Sequence, residues 1–263
     1  MSRKYSTQEL MIIAASREIK DREVVFVGMR LPITAFGVAK LTHAPDAVGL
    51  FESGIARSHP VREMLYTMAD RPNQEEAAWC SGLIQVMGLL QRGRVDAGFI
   101  GGAEIDRFGN INSSYIGDWK KPRVKLPGSG GAPDIASHSR RLIAIMNHEP
   151  RRLVERVHYV TSPGNLGGTD DRKKRGLIQG GDVALITDMA VFRSTRSERE
   201  LELETVHPGY DLDEVINKTG WILKAPNDLK TTQPPSPEEI AALHKIDTDG
   251  SVSYTHLTLP TIL

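Results

Sequence analysis

Val24-Val-Phe-Val27, closed by Gly28-Met-Arg-Leu-Pro32 and followed later by Ala47-Val-Gly-Leu-Phe51, is the stretch that decides the fold. Four apolar residues ahead of a glycine and a proline read as a short buried strand. Residues 33–41 read as a helix, and residues 48–51 as the next strand. Strand, helix and strand with short joints form the βαβ unit of a mostly parallel sheet. The fold class is therefore α/β, an open, mostly parallel sheet with flanking helices.

Outward from this unit the pattern repeats. Ser6 or Thr7 with Glu9 behind it marks a helix start, and Leu10, Ile13, Ala14 and Ile19 supply its apolar stripe. Asn73, with Glu75 and Glu76 behind it, opens a long helix running to residue 90, with Arg92 and Arg94 near its end. Residues 95–100, 142–146, 157–160 and 183–187 read as further strands. Residues 199–205 alternate acidic and apolar side chains, as in a half-exposed outer strand. Residues 211–218 form a short helix, and Trp221 begins the last ordered segment of the main domain. Pro234-Pro-Ser-Pro237 breaks the chain before a final helix at 238–245. One domain is expected over residues 1–233, with a C-terminal helix and tail over 234–251. Residues 252–263 fit poorly with what precedes them. Their alternation suits an edge strand, but Val252-Ser-Tyr-Thr-His-Leu-Thr-Leu-Pro-Thr261 is also what a transposase-type sequencing adapter encodes in one reading frame. The tail is therefore read as non-native and excluded from the fold.

At 263 residues the chain is long enough to bury a full core. Thirty-three basic residues balance thirty-three acidic ones, so no global field favours nucleic acid or an anionic membrane. The single cysteine, Cys80, excludes an intramolecular disulfide and fits a reducing compartment. Its apolar run, Ala77-Ala-Trp-Cys-Ser-Gly-Leu-Ile, points to a small core residue rather than a nucleophile. Glu9 and Arg17 interrupt the first apolar patch, which argues against a signal segment. No stretch approaches the apolar length of a membrane span, so a cytoplasmic location is expected.

Candidate chemistry starts at Glu52-Ser53-Gly54, directly after the second strand of the βαβ unit. A lone acid there costs several kcal/mol to bury unless something pairs or uses it. The glycine behind it admits close approach of a backbone or a substrate. Two readings stand at this point: a nucleophilic carboxylate, or a loop acid paired with Arg57 or Arg62. Arg57 and His59 default to solvent-facing or structural roles. Three glycine loops accompany the acid: Gly28-Met-Arg-Leu-Pro32, Gly101-Gly-Ala-Glu-Ile-Asp-Arg-Phe-Gly-Asn-Ile-Asn-Ser-Ser114 and Gly128-Ser-Gly-Gly-Ala-Pro-Asp134. Their backbone amides suit a phosphate or a developing oxyanion. None has dinucleotide or P-loop spacing. Taken together with an acid at a strand end they suggest a site, because ligands of open α/β sheets bind beyond the carboxyl ends of the strands. His148 and His158, in or beside apolar strands, read as satisfied core histidines. Lys120, Lys121, Arg123 and Lys125 read as a solvated loop, with contact to a ligand's phosphates as the alternative. No HExxH, CxxC or paired-His spacing occurs, so no metal site is expected.

Glu52-Ser53-Gly54, Phe99-Ile-Gly-Gly-Ala-Glu-Ile-Asp106, Gly109-Asn-Ile-Asn-Ser113, Gly128-Ser-Gly-Gly-Ala132 and Tyr159-Val-Thr-Ser-Pro-Gly164 together closely resemble the β subunit of family I CoA-transferases, the glutaconate CoA-transferase type among them. The likeness runs in order from about residue 5 to about residue 247. It implies a sugar-isomerase-like architecture and a ping-pong reaction through a glutamyl-CoA thioester. Glu52 aligns with the family's catalytic glutamate. By the same resemblance, oxyanion donors would be backbone amides of Gly130 and Gly131 and of Val27 and Gly28. Gly101, Gly102, Asn110 and Ser113 are candidates for contact with CoA, which is a substrate rather than a tightly bound cofactor. The family assembles its site from α and β chains, so an α subunit is an expected partner; acyl-CoA and carboxylic acids are the expected substrates. The alternatives are an acyl-CoA hydrolase or ring-cleaving relative on the same fold, and a non-catalytic acyl-CoA-binding protein.

Overall fold

The computed structural model describes residues 5–60, 67–248 and 250. Arg62, one of the candidate partners of Glu52, and the 252–263 tail lie outside the described residues. The fold is α/β with a large mixed, mostly parallel open sheet and flanking helices. The chain divides into two compact units, Met1–Phe99 with Gln233–Leu263, and Ile100–Thr232.

The first unit runs α1 (Thr7–Ser16), β1 (Val24–Phe26), α2 (Leu31–Leu41), β2 (Val48–Phe51), β3 (Ile55–Arg57), α3 (Arg71–Gln74), β4 (Trp79–Cys80), α4 (Leu83–Gln91) and β5 (Ala97–Ile100). Ser6 and Glu9 form a reciprocal capping box that starts α1. β1 lies parallel to β2, pairing Val24 with Val48 and Phe26 with Leu50, and parallel to β5 on its other edge. β2 turns back into β3, pairing Phe51 with Ile55, and β3 pairs antiparallel with β4. Gly49 is required by the close packing of α2: a Cβ there would lie 2.8 Å from the Phe36 ring. The buried side chains of Leu10, Ile13, Phe26, Phe36, Leu50 and Phe51 form much of this core, each contributing about 1.5–3 kcal/mol by leaving water.

The second unit contains β6 (Glu104–Asp106), β7 (Ile111–Asn112), β8 (Tyr115–Gly117), β9 (Pro122–Lys125), α5 (Ala132–His138), β10 (Arg141–Ile145), β11 (Leu153–Val154), α6 (Asp171–Lys174), β12 (Asp182–Ile186), β13 (Ala190–Ser194), β14 (Leu201–Val206), α7 (Leu212–Asn217) and β15 (Lys230–Thr231). β10 and β12 pair in parallel, β13 and β14 continue antiparallel, and β15 closes in parallel. β11, β6 and β7 form a small sheet, and β8 with β9 a hairpin. The last helix, α8 (Pro237–Ile246), returns to the first unit and packs on α1 and α2. Its Glu239 accepts two hydrogen bonds at 2.7 Å from the Arg17 guanidinium.

Three expectations are corrected. The long helix from Asn73 to residue 90 is broken: Glu75 is extended, Glu76 has φ +56°, and Trp79–Cys80 becomes a strand instead. The physical reason is the open edge of β3, whose backbone groups take partners from that segment. Cys80 is consequently exposed rather than a core residue. Residues 157–160 form no strand; β6 pairs with β11 instead, and Tyr159 and Val160 face solvent.

Candidate active site

Glu52 occupies the turn between β2 and β3, half-buried, just past the carboxyl end of β2. Among the described residues no side chain pairs with its carboxylate; Arg57, a candidate partner from the sequence, faces elsewhere. The turn itself is tightly held. Gly54 N–H donates to the Phe51 carbonyl at 2.9 Å. Gly54 has φ +96°, and a Cβ there would lie 2.4 Å from the Ser81 carbonyl oxygen, so only glycine fits. The Gly54 carbonyl accepts from the Ser81 amide at 2.8 Å and from its hydroxyl at 3.0 Å. On the other side, the Ser53 hydroxyl donates to the Met68 carbonyl at 2.8 Å.

Gly28 follows β1 as Glu52 follows β2. Since those strands are parallel neighbours, both residues lie beyond the same end of this part of the sheet. The Val27 amide donates to the Leu50 carbonyl at 2.8 Å. That removes Val27 from the oxyanion donors and leaves Gly28, whose amide has no acceptor among the described residues.

In the second unit, the turn at Gly128-Ser-Gly-Gly131 leads into α5. Gly128 and Gly130 have φ of +106° and +49°, with open space where a Cβ would stand. Ser113 fixes the start of the turn: its hydroxyl donates to the Gly128 carbonyl and its carbonyl accepts the Gly128 amide, both at 2.8 Å. Gly131 is buried and Gly130 exposed. At the far end of α5, the Arg172 guanidinium donates to the carbonyls of Ala136, Ser137, Pro163, Gly164 and Gln179 at 2.5–3.3 Å. Burial pulls its pKa down to about 10, still charged at neutral pH. This arginine joins the Gly128 turn's helix to the Tyr159–Gly164 motif.

The Gly101–Ser113 motif divides into an open part and a structural part. Gly101 is exposed, with nothing near its Cβ position, whereas a Cβ on Gly102 would lie 2.2 Å from Ile111 Cγ2. Asn110 is buried and fully engaged. Its amide group donates to Asp106 and the Leu166 carbonyl, and its oxygen accepts from the Gly164 and Leu166 amides. No donor or acceptor of the Asn110 side chain is left for CoA, which removes it from the ligand set. Asp106 accepts further from the Phe108 and Asn110 amides, and burial raises its pKa.

His148 is a buried, satisfied histidine between the hydroxyls of Thr187 and Thr219. His158 is not: its side chain is 37% exposed, and its Nδ1 lies 2.7 Å from the buried Glu104 carboxylate. Lys120, Lys121, Arg123 and Lys125 lie on or beside the exposed β8–β9 hairpin. Sequence reading missed the burial of Arg57, which is 1% exposed. Its guanidinium donates to the carbonyls of His59, Pro60, Pro72, Asn73 and Glu75. The available signal was an arginine inside Ile55-Ala-Arg57, a strand otherwise apolar. Among the described residues no cluster of His, Cys, Asp and Glu is set to hold a metal, and no helix is long and apolar enough to cross a membrane.

A half-buried acid and a free glycine amide beyond the same end of neighbouring parallel strands define a candidate group-transfer site on this fold. The chain belongs to the coenzyme A transferase family, whose model matches residues 8–218. Within it, the chain is a β subunit of family I. It is 38% identical over 251 residues to the β chain of 3-oxoadipate CoA-transferase from Pseudomonas knackmussii, covering 95% of this chain and 96% of that one. It is 32% identical to the β chain of glutaconate CoA-transferase from Acidaminococcus fermentans, covering 88% of each. The crystal structure of the Acidaminococcus fermentans glutaconate enzyme superposes with a TM-score of 0.89 at 29% identity, over 96% of this chain and 99% of that one. The decarboxylase AibA/AibB shares the fold at a TM-score of 0.81 and 27% identity, over 94% of this chain and 97% of that one.

Proposed function

We propose that this chain carries the nucleophile of a heteromeric CoA-transferase, Glu52, and that it works with an α subunit. The observation that supports this most directly is the half-buried Glu52 carboxylate, unpaired among the described residues and held on a turn fixed from both sides. In the proposed reaction, the Glu52 carboxylate attacks the thioester carbonyl of the donor. Collapse of the tetrahedral adduct breaks the carbon–sulfur bond, giving an acyl-glutamyl anhydride and CoA thiolate. The thiolate attacks the glutamyl carbonyl, forming the glutamyl-CoA thioester and releasing the donor as its carboxylate. An acceptor carboxylate reverses these steps and leaves as the new acyl-CoA.

A carboxylate is a weak nucleophile in water, so positioning carries much of the rate. A well-oriented attack lowers the barrier by about 7–11 kcal/mol. Gly28, Gly130 and Gly131 are the proposed oxyanion donors, each amide worth about 3–4 kcal/mol. Gly101, Gly102 and Ser113 are the proposed contacts to CoA, whose long tail supplies binding energy remote from the reacting carbon. The names of the two relatives, 3-oxoadipate and glutaconate CoA-transferase, support dicarboxylic acids as the substrate class.

The test is co-expression with the α subunit and incubation with a panel of acyl-CoA donors. A hydroxylamine-sensitive, borohydride-reducible adduct mapping to Glu52 by mass spectrometry is expected. Transfer to a carboxylate acceptor that survives in Glu52→Ala would overturn the mechanism. Hydrolysis without transfer would favour the hydrolase alternative, and binding without turnover the non-catalytic one.

A further inference from the structure

We propose that Arg57 is a positioning residue that sets the Glu52 turn through a buried strap of hydrogen bonds; this rests on the reading of Glu52 as the nucleophile. A guanidinium at 1% exposure is costly, and an apolar side chain of similar volume would fill the same space. What an arginine adds is a planar set of donors that gathers several carbonyls at once. Here those carbonyls come from both flanks of the excursion between β3 and β4: His59 and Pro60 on leaving β3, and Pro72, Asn73 and Glu75 on returning toward β4.

The returning flank carries the connection to the acid. Arg57 Nη1 holds the Asn73 carbonyl at 2.7 Å. The Asn73 side chain, wholly buried, donates to the Met68 carbonyl at 2.6 Å. The same Met68 oxygen accepts the Ser53 hydroxyl at 2.8 Å. Ser53 is the immediate neighbour of Glu52, and the opposite side of the turn is clamped by Ser81 on the Gly54 carbonyl. Arg57, Asn73, Met68 and Ser53 thus form one continuous path from the core of β3 to the turn that carries the carboxylate. Releasing the path frees one side of the turn while leaving the other pinned, which tilts the carboxylate without removing it. A displacement of about 1 Å in a reacting group costs about 100-fold in rate.

The test measures the single-turnover rate of thioester formation on Glu52 in the heteromer with its α subunit, alongside kcat and KM. Arg57→Met is expected to slow thioester formation and kcat about 100-fold, with KM for acyl-CoA within about threefold. Arg57→Lys, which restores a donor but not the planar set, is expected to recover part of that loss. Ser53→Ala breaks only the last link and leaves the buried charge satisfied; it is expected to slow thioester formation about tenfold, and it decides the matter if Arg57→Met does not fold. A role in folding alone would lower the yield of heteromer but leave the rate per folded site unchanged. Wild-type rates per folded site in Ser53→Ala, or in folded Arg57→Met, would overturn the inference. Wild-type enzyme serves as the control for the underlying reading: absence of any adduct on Glu52 there would refute the nucleophile, independently of the strap.

Discussion

Lowering the pH from 7 toward 4 sets two buried histidines of the second unit against the fold. His148 is 4% exposed, with Thr187 and Thr219 hydroxyls at 3.1 and 3.0 Å from its ring nitrogens. His207 is 1% exposed, with the Thr232 hydroxyl at 2.8 Å and the Thr187 carbonyl at 2.9 Å. Burial pulls both pKa values from 6.5 down to about 4, against smaller opposing pulls from Asp188 and, for His207, from the Thr187 carbonyl. The unfolded chain takes up its protons near 6.5, whereas the folded chain resists until about 4. Between those values the unfolded state binds more protons, so stability rises with pH and is lost on acidification through this window. At 1.36 kcal/mol per pH unit, each histidine accounts for about 3 kcal/mol by pH 4 and about 2 kcal/mol by pH 5. Together they remove about 4 kcal/mol by pH 5, a large share of the 5–15 kcal/mol typical of a folded domain. The carboxylates with lowered pKa values, Glu9, Glu149 and Glu239, start from 4.5 and give up their contribution only as the pH falls through that value, so the upper part of the window reports the histidines. Urea unfolding followed at about pH 7.5, 6.0 and 5.0 measures the effect. The midpoint should fall steeply below about pH 6.5, and His148→Gln or His207→Gln should each remove about half of that slope. A midpoint that stays flat from about pH 6.5 to 5, or a slope unchanged in the double variant, would refute the reasoning.

Two further outcomes are expected. Gly54→Ala places a Cβ 2.4 Å from the Ser81 carbonyl at a φ of +96°; it should cost about 1–3 kcal/mol of stability by urea unfolding and depress transferase activity more than Ser53→Ala does. Arg172→Met leaves five carbonyls around α5 and the Pro163–Gly164 segment without their donor; it should cost about 3 kcal/mol, read by thermal melting, and raise amide exchange in α5.

The βαβ core was legible because its hydrophobic period is strong and its ends are punctuated. Val24–Phe26 and Val48–Phe51 formed strands within a residue of their apolar runs, and the Ser6/Glu9 box formed as its spacing required. The segment after Asn73 defeated the same reasoning. Its local pattern favours a helix, but β3 offered an open edge, and backbone hydrogen bonds to that edge outweighed helix propensity. Cys80 went to the surface with it. His158 was misjudged for a related reason: its apolar neighbours suggested a strand, while the group that holds it, Glu104, lies 54 residues away in sequence.

The α/β class and the family are legible from sequence because apolar strand runs and ordered glycine motifs are local patterns. An acid directly behind a strand is local too, but its residues leave nucleophile and paired loop acid both open. Tertiary structure alone decided which polar groups are free. Val27 and Asn110 suited ligand contact until the Leu50 carbonyl and the Gly164 and Leu166 amides were seen to occupy them. Arg57 reads as solvent-facing or structural until its guanidinium is seen among the carbonyls of His59 and Pro60 close by and of Pro72, Asn73 and Glu75 on the returning segment. A hydrogen-bond donor has one direction and few partners, and what occupies it is settled by residues the chain brings back from far along its length.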